Sequence, residues 1–133
     1  MKNYRNTVYY AGAKFKILYA QTNNGRMPAK VFFDSIGKPD WGKLNRVLKR
    51  LANRGTVKNK ELFRNIGDGL FEVKGGKCRL IGFFKAGVFV LTNGFDKRGG
   101  GKAANRVPDK ERRKALRIKT EFEASIPIII SNK

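Results

Sequence analysis

A chain of 133 residues with 30 Lys and Arg against 10 acids, a formal charge of +20 and 41% hydrophobic residues is too short for two well-cored domains and too apolar for a disordered basic tail. Those numbers predict one folded basic domain, 1–133, whose partner is a polyanion. RNA, DNA or a ribosome ranks ahead of an acidic protein surface, and no membrane is expected because no long apolar run marks a span or an anchor.

A single cysteine, Cys78, and the absence of histidine exclude an internal disulfide and leave no expected metal site or cofactor. With no apolar leader over residues 1–12, a reducing cytoplasm is the expected compartment. The charge is spread along the chain: residues 1–60 hold only two acids, Asp34 and Asp40.

In chain order, residues 1–13 read as a loosely ordered basic arm with Tyr4, Tyr9 and Tyr10. Residues 14–20 alternate, with Phe15, Ile17 and Tyr19 on one face, as a half-buried strand does. Turn chemistry follows at 21–25, and Pro28 opens a short helix carrying Phe32, Phe33 and Ile36. Residues 37–40 interrupt it and offer Asp40 as the N-cap of a second helix. There Leu44, Val47, Leu48 and Leu51 form one apolar stripe, and Gly55 fits just past the C-terminus. The outer face of that helix carries Lys43, Arg46, Lys49, Arg50 and Arg54. With no acid at i+4 to pair them, these cations repel one another, which weighs nucleic-acid contact evenly against plain solvated surface. Residues 56–68 read as a basic connection.

The segments 70–74, 78–84 and 88–95 are rich in branched and aromatic residues and are separated by Gly75-Gly76 and Ala86-Gly87, which predicts a three-stranded meander. Alternation sends Phe71 and Val73 to one face and Leu70, Glu72 and Lys74 to the other. Lys74, Arg79, Lys97 and Arg98 fall at strand ends and converge on one side if the register allows, a phosphate-binding geometry in outline. Gly99-Gly100-Gly101-Lys102 reads as a hinge without the spacing of a phosphate loop. Pro108 opens a last helix with a narrow seam of Ala115, Ile118 and Phe122. The apolar tail, 124–133, holds a β-prone run at 126–130 whose Pro127 suggests an edge or packing role.

Asn24-Gly25 before Pro28, the leucine helix ending at Gly55, the run Asp68-Gly69-Leu70-Phe71-Glu72-Val73, a central Arg79 and the run Gly94-Phe95-Asp96-Lys97-Arg98 ahead of the Pro108 helix carry a family likeness. Over about residues 14–123 the chain resembles the phage-derived HigB-like branch of the RelE/ParE toxin superfamily. The resemblance implies an α+β fold: an antiparallel sheet of an N-terminal strand plus the meander, two helices packed on one side, and a C-terminal helix. It implies the toxin of a type II toxin-antitoxin module, a metal-independent endoribonuclease that cuts mRNA at the translating ribosome. Its partners would be mRNA, the ribosome and a cognate helix-turn-helix antitoxin. Carried over by position, the catalytic residues would be Lys74, Arg79, Lys97 and Arg98, with Lys43, Arg46, Lys49, Arg50, Arg54, Lys77 and Lys102 binding RNA. The chain departs from the pattern in two places: no Tyr or His follows Arg98, and position 72 is acidic where some members have lysine. A non-enzymatic nucleic-acid-binding phage protein of the same fold and a ParE-like topoisomerase inhibitor are the alternatives.

Internal attack by a ribose 2′-OH needs a base, cations for the phosphorane and a donor for the leaving oxygen. Without histidine, a lysine crowded by Arg79, Lys77 and Arg98 is the expected base, its pKa lowered by like charge. Lys74 ranks first and Lys97 second, whereas arginine stays protonated and suits charge stabilisation. Glu72 is expected in a surface ion pair with Lys74, Asp96 either orients Arg98 or acts as base, and Cys78 belongs to the core.

Overall fold

Ile17 and Tyr19 occupy one side of a strand and Leu18 and Ala20 the other, all four apolar, so the segment needs cover on both faces. The computed structural model, which describes residues 7–97 and 106–131, provides it with helices on both sides of a sheet. Strands β1 (Val8–Ala11) and β2 (Lys16–Tyr19) come first, followed by helices α1 (Pro28–Ser35) and α2 (Lys38–Arg54). Strands β3 (Phe63–Gly67), β4 (Leu70–Gly75), β5 (Cys78–Lys85) and β6 (Val88–Asp96) lead to α3 (Asp109–Ser131). The spatial order is β1-β2-β6-β5-β4-β3. The α1–α2 segment therefore carries the chain from β2 to the far edge at β3, and the strands return until β6 lies beside β2.

The α+β class holds, but the expected wholly antiparallel sheet is corrected to a mixed one. β2 pairs parallel with β6, and the other pairings are antiparallel. A parallel neighbour needs a long crossover, and here it is everything from α1 to β5. Two strands extend the expected sheet. Residues 8–11 of the supposed arm form edge strand β1, because Tyr9 packs against Tyr19 and Phe33 and its hydroxyl donates to Asn45 Oδ1. Part of the supposed connection forms β3, paired Phe63↔Val73 and Arg64↔Glu72, and its turn into β4 has positive φ at Gly67, Asp68 and Gly69.

One face of the sheet buries Ile17, Tyr19, Val73, Leu80, Phe89 and Leu91 against Phe33 of α1 and Leu44, Leu48 and Leu51 of α2. The opposite face buries Leu18, Leu70, Ile81, Phe83 and Val90 against Ala115, Ile118 and Phe122 of α3. Burying Ile118 and Phe122 contributes roughly 3–6 kcal/mol as an upper bound, so the narrow seam is one wall of the core. The backbone of the supposed β-prone tail is helical through Ser131. The β-prone composition is overridden here, since strand propensity depends on context, although an interior proline deprives the helix of one backbone hydrogen bond. α2 begins earlier than expected, with Gly37 as its N-cap and Asp40 inside its first turn. Gly55 closes it in the left-handed conformation, donating its N–H to Leu51 O. Among the described residues no helix is long and apolar enough to cross a membrane.

Candidate active site

The meander's register puts Lys74 opposite Arg79 across β4 and β5, and places Arg64 of β3 opposite Glu72. Cross-strand partners share a face, as do residues two apart on one strand, so Arg64, Glu72, Lys74 and Arg79 lie together. Glu72 is 3% exposed and Arg79 7% exposed. Glu72 Oε1 accepts from Arg64 Nη2 at 2.9 Å and lies 4.0 Å from Lys74 Nζ, while its Oε2 is 3.9 Å from Arg79 Nε. Arg79 Nη1 donates to the carbonyls of Gly76 at 2.9 Å and Cys78 at 3.0 Å, so the guanidinium is fixed by the β4–β5 turn. The expected surface pair between Glu72 and Lys74 is thereby corrected. The carboxylate is buried and serves three cations, because β3, absent from the sequence reading, brings Arg64 to it.

Two details of the turn bring α2 up to this row. A Cβ at Gly75 would stand 2.7 Å from Leu44 Cγ and Leu44 N, so α2 rests on β4 where only glycine fits. Gly76 takes a φ of 60°, so the turn residues are Gly76 and Lys77, one position beyond the expected pair. In consequence Lys43, Arg46 and Arg50 of α2 face Lys74, Arg79 and Lys97 across a cleft of about 330 Å³, with Glu61 its one acid. A second cleft of about 570 Å³ shares Arg79 and Lys97 with the first and is lined by Phe32, Glu72, Phe95, Asp96, Arg106, Lys110 and Glu111.

Burial is the main cause that lowers the Lys74 pKa below the usual lysine value. Glu72 opposes it, Arg64 and Arg79 add to it, and Glu61 opposes it. The direction matches the expectation, but the cause is corrected, since desolvation leads and Arg64 stands where Lys77 was expected. The Cys78 thiol is 2% exposed, donates toward Asp96 Oδ1 at 3.3 Å and Asp40 Oδ2 at 3.7 Å, and is pushed up to about 12 by burial and then by those carboxylates. It stays a protonated core residue, not a nucleophile.

The structure thus gathers Lys74, Arg79 and Lys97 with Lys43, Arg46 and Arg50. Arg98 and Lys102 lie outside the described residues. Lys49 sits 5.4 Å over the Tyr10 ring, Arg54 is exposed at the last turn of α2, and neither lines a cleft. Lys77 is exposed on its turn, where its carbonyl accepts from the Lys97 N–H at 2.7 Å. Sequence reasoning missed Arg64, whose place depends on β3, and Arg106, which lines the second cleft but shows in the sequence only as one more cation.

Residues 32–120 match the family model described as phage derived protein Gp49-like. That span runs from within α1 into α3 and includes every cation of both clefts. No curated protein matches the chain.

Proposed function

The chain belongs to the phage-derived Gp49-like family, a toxin-antitoxin-associated, RelE-like family, and on that premise we propose that it is a ribosome-dependent mRNA endoribonuclease of the HigB-like kind. One observation carries the reading. A buried, rigidly held arginine and a lysine with a lowered pKa are cross-strand partners at the junction of two open clefts walled by further cations. A phosphodiester seated there would meet Arg79 and Lys97 on its oxygens. Fixed charges in a partly dehydrated site stabilise the extra negative charge of the phosphorane better than solvated ones. Lys74, in its neutral form, takes the proton of the attacking 2′-OH. Lys97, common to both clefts, donates to the departing 5′ oxygen. Lys43, Arg46 and Arg50 hold the message by its flanking phosphates. A cognate helix-turn-helix antitoxin would silence the protein by covering the same cationic cleft.

The test is incubation of the purified protein with messenger bound to programmed ribosomes. Internal attack predicts fragments ending in a 2′,3′-cyclic phosphate and a 5′-hydroxyl. The Arg79→Ala protein should cut about a hundredfold more slowly or worse, the usual scale for losing one transition-state charge donor. Tight, salt-sensitive binding of RNA with no cutting by the unaltered protein would overturn the reading in favour of a non-enzymatic nucleic-acid-binding protein.

A further inference from the structure

Glu72 is a side chain the proposed chemistry does not use. It is among the most buried charged groups described, only 3% exposed, yet it sits at the wall of the second cleft. Burying a carboxylate is costly unless it is paired and hydrogen-bonded. Here the pairing is divided among three strands: a hydrogen bond from Arg64 on β3 at 2.9 Å, Lys74 on β4 at 4.0 Å and Arg79 on β5 at 3.9 Å.

We propose that Glu72 is the positioning residue of the cationic site, holding Lys74 and Arg79 side by side at the junction of the two clefts. The sheet register is the device. Arg64 is Glu72's direct cross-strand partner, Lys74 is two residues along the same strand, and Arg79 is Lys74's cross-strand partner. One carboxylate therefore reaches all three by direct, same-strand and diagonal contact on one face. Without it, Arg64, Lys74 and Arg79 would be a partly buried row of like charges whose mutual repulsion would spread them.

The surroundings make Glu72 the controlling charge for Lys74. Neighbouring strands bring Arg64 and Arg79, α2 brings Lys43, Arg46 and Arg50 across the cleft, and Lys97 follows β6. The acids that favour the protonated lysine are Glu72 and the exposed Glu61, Glu72 being the stronger, while Asp96 and Glu111 line the second cleft with Arg79 and Lys97. Arg64 acts in the opposite sense. The carboxylate and Arg64, which share one face of the sheet with Lys74, thus bias the lysine in opposite directions.

The catalytic consequence rests on the ribonuclease reading, but the test does not. In full-length protein labelled with 13C-lysine, the Lys74 Cε resonance is followed from pH 6 to 11 by NMR, assigned by its loss in Lys74→Arg. Glu72→Gln keeps the shape and removes the charge, so the Lys74 midpoint is expected to move to lower pH. Arg64→Gln alters a partly exposed residue and is expected to move the midpoint to higher pH. It decides the matter if Glu72→Gln does not fold. Unmoved midpoints, or shifts of the reverse sign, overturn the proposal. On programmed ribosomes, Glu72→Gln is further expected to lose about tenfold in single-turnover rate with binding nearly unchanged. A loss of binding equal to the loss of rate would mean a merely structural role. If the midpoints shift as stated while the unaltered protein cuts nothing, the positioning role stands and the ribonuclease reading falls.

Discussion

The cationic row on the sheet and the cationic face of α2 read alike in sequence, as runs of Lys and Arg with few acids among them. In the fold they differ in kind. Arg79 and Lys74 are mostly withdrawn from water, carry backbone or carboxylate partners and sit at the meeting of two clefts. Lys43, Arg46, Lys49, Arg50 and Arg54 stand exposed on a helix. A charge in low dielectric acts strongly over a few ångströms, whereas an exposed one is screened within about 8 Å at physiological salt. On the proposed function the sheet row is the place for chemistry and the helix face the place for capture, although both regions line the same cleft.

The largest expected departure is Lys74→Arg, which keeps the charge and removes a group able to release a proton. It should bind ribosomes as the unaltered protein does and cut about a hundredfold more slowly, as measured by quenched-flow single-turnover assay. Full activity would remove Lys74 as the base and reduce the row to electrostatics.

Next in size is Gly75→Ala. The added Cβ would press on Leu44 and push α2 off β4, at a cost of about 2 kcal/mol by the usual penalty for overpacking. Urea unfolding checks this. A neutral result would mean that the helix is free to shift relative to the sheet, and that the two regions are less rigidly coupled than the close packing implies.

A pH experiment sharpens the contrast within lysines. Lys74's pKa is lowered in the folded protein, so between that value and the ordinary 10.5 the unfolded chain binds more protons and stability rises with pH. Below that window the fold carries the cost of a desolvated ammonium. Lys74→Met should therefore be more stable than the unaltered protein at neutral pH, with an advantage that shrinks as the pH rises toward 10.5. Thermal unfolding at several pH values checks the trend.

A smaller change is expected from replacing Lys43, Arg46 and Arg50 together by Gln. On single-stranded RNA each phosphate contact contributes a log-log salt slope of about −0.7, so the slope should flatten by about two with the cutting rate at saturation changed only a few fold. Lys77→Ala, Lys49→Gln and Arg54→Gln should stay within about twofold in both respects, since none of these side chains lines either cleft.

Much of the frame was legible. The meander, the Pro28 helix and the leucine helix rest on local signals of alternation, a 3.6-residue stripe and a glycine stop, and the face on which Lys74 and Glu72 lie follows from period two alone. β3 was not legible, because Phe63-Arg64-Asn65-Ile66-Gly67 is an edge strand whose pairing with β4, not its composition, makes it a strand. Losing β3 also hid Arg64, and with Arg64 the burial of Glu72. The parallel pairing of β2 with β6 depends on the path of the whole intervening chain, which no local window contains. At the site, Arg79 and Lys74 could be placed as neighbours. That Lys43, Arg46 and Arg50 face them, while Lys49 and Arg54 turn elsewhere, required the contact of α2 with Gly75.

The central claim, that sheet cations act on the transition state and helix cations on binding, is tested most directly by one paired measurement. Single-turnover cutting rate at saturating ribosomes and ribosome affinity at fixed salt are determined for Arg79→Ala and Arg46→Ala side by side. The account predicts that Arg79→Ala loses about a hundredfold in rate with affinity changed less than about threefold, and that Arg46→Ala loses affinity with its rate nearly intact. Equal losses in rate and affinity for both variants would contradict it.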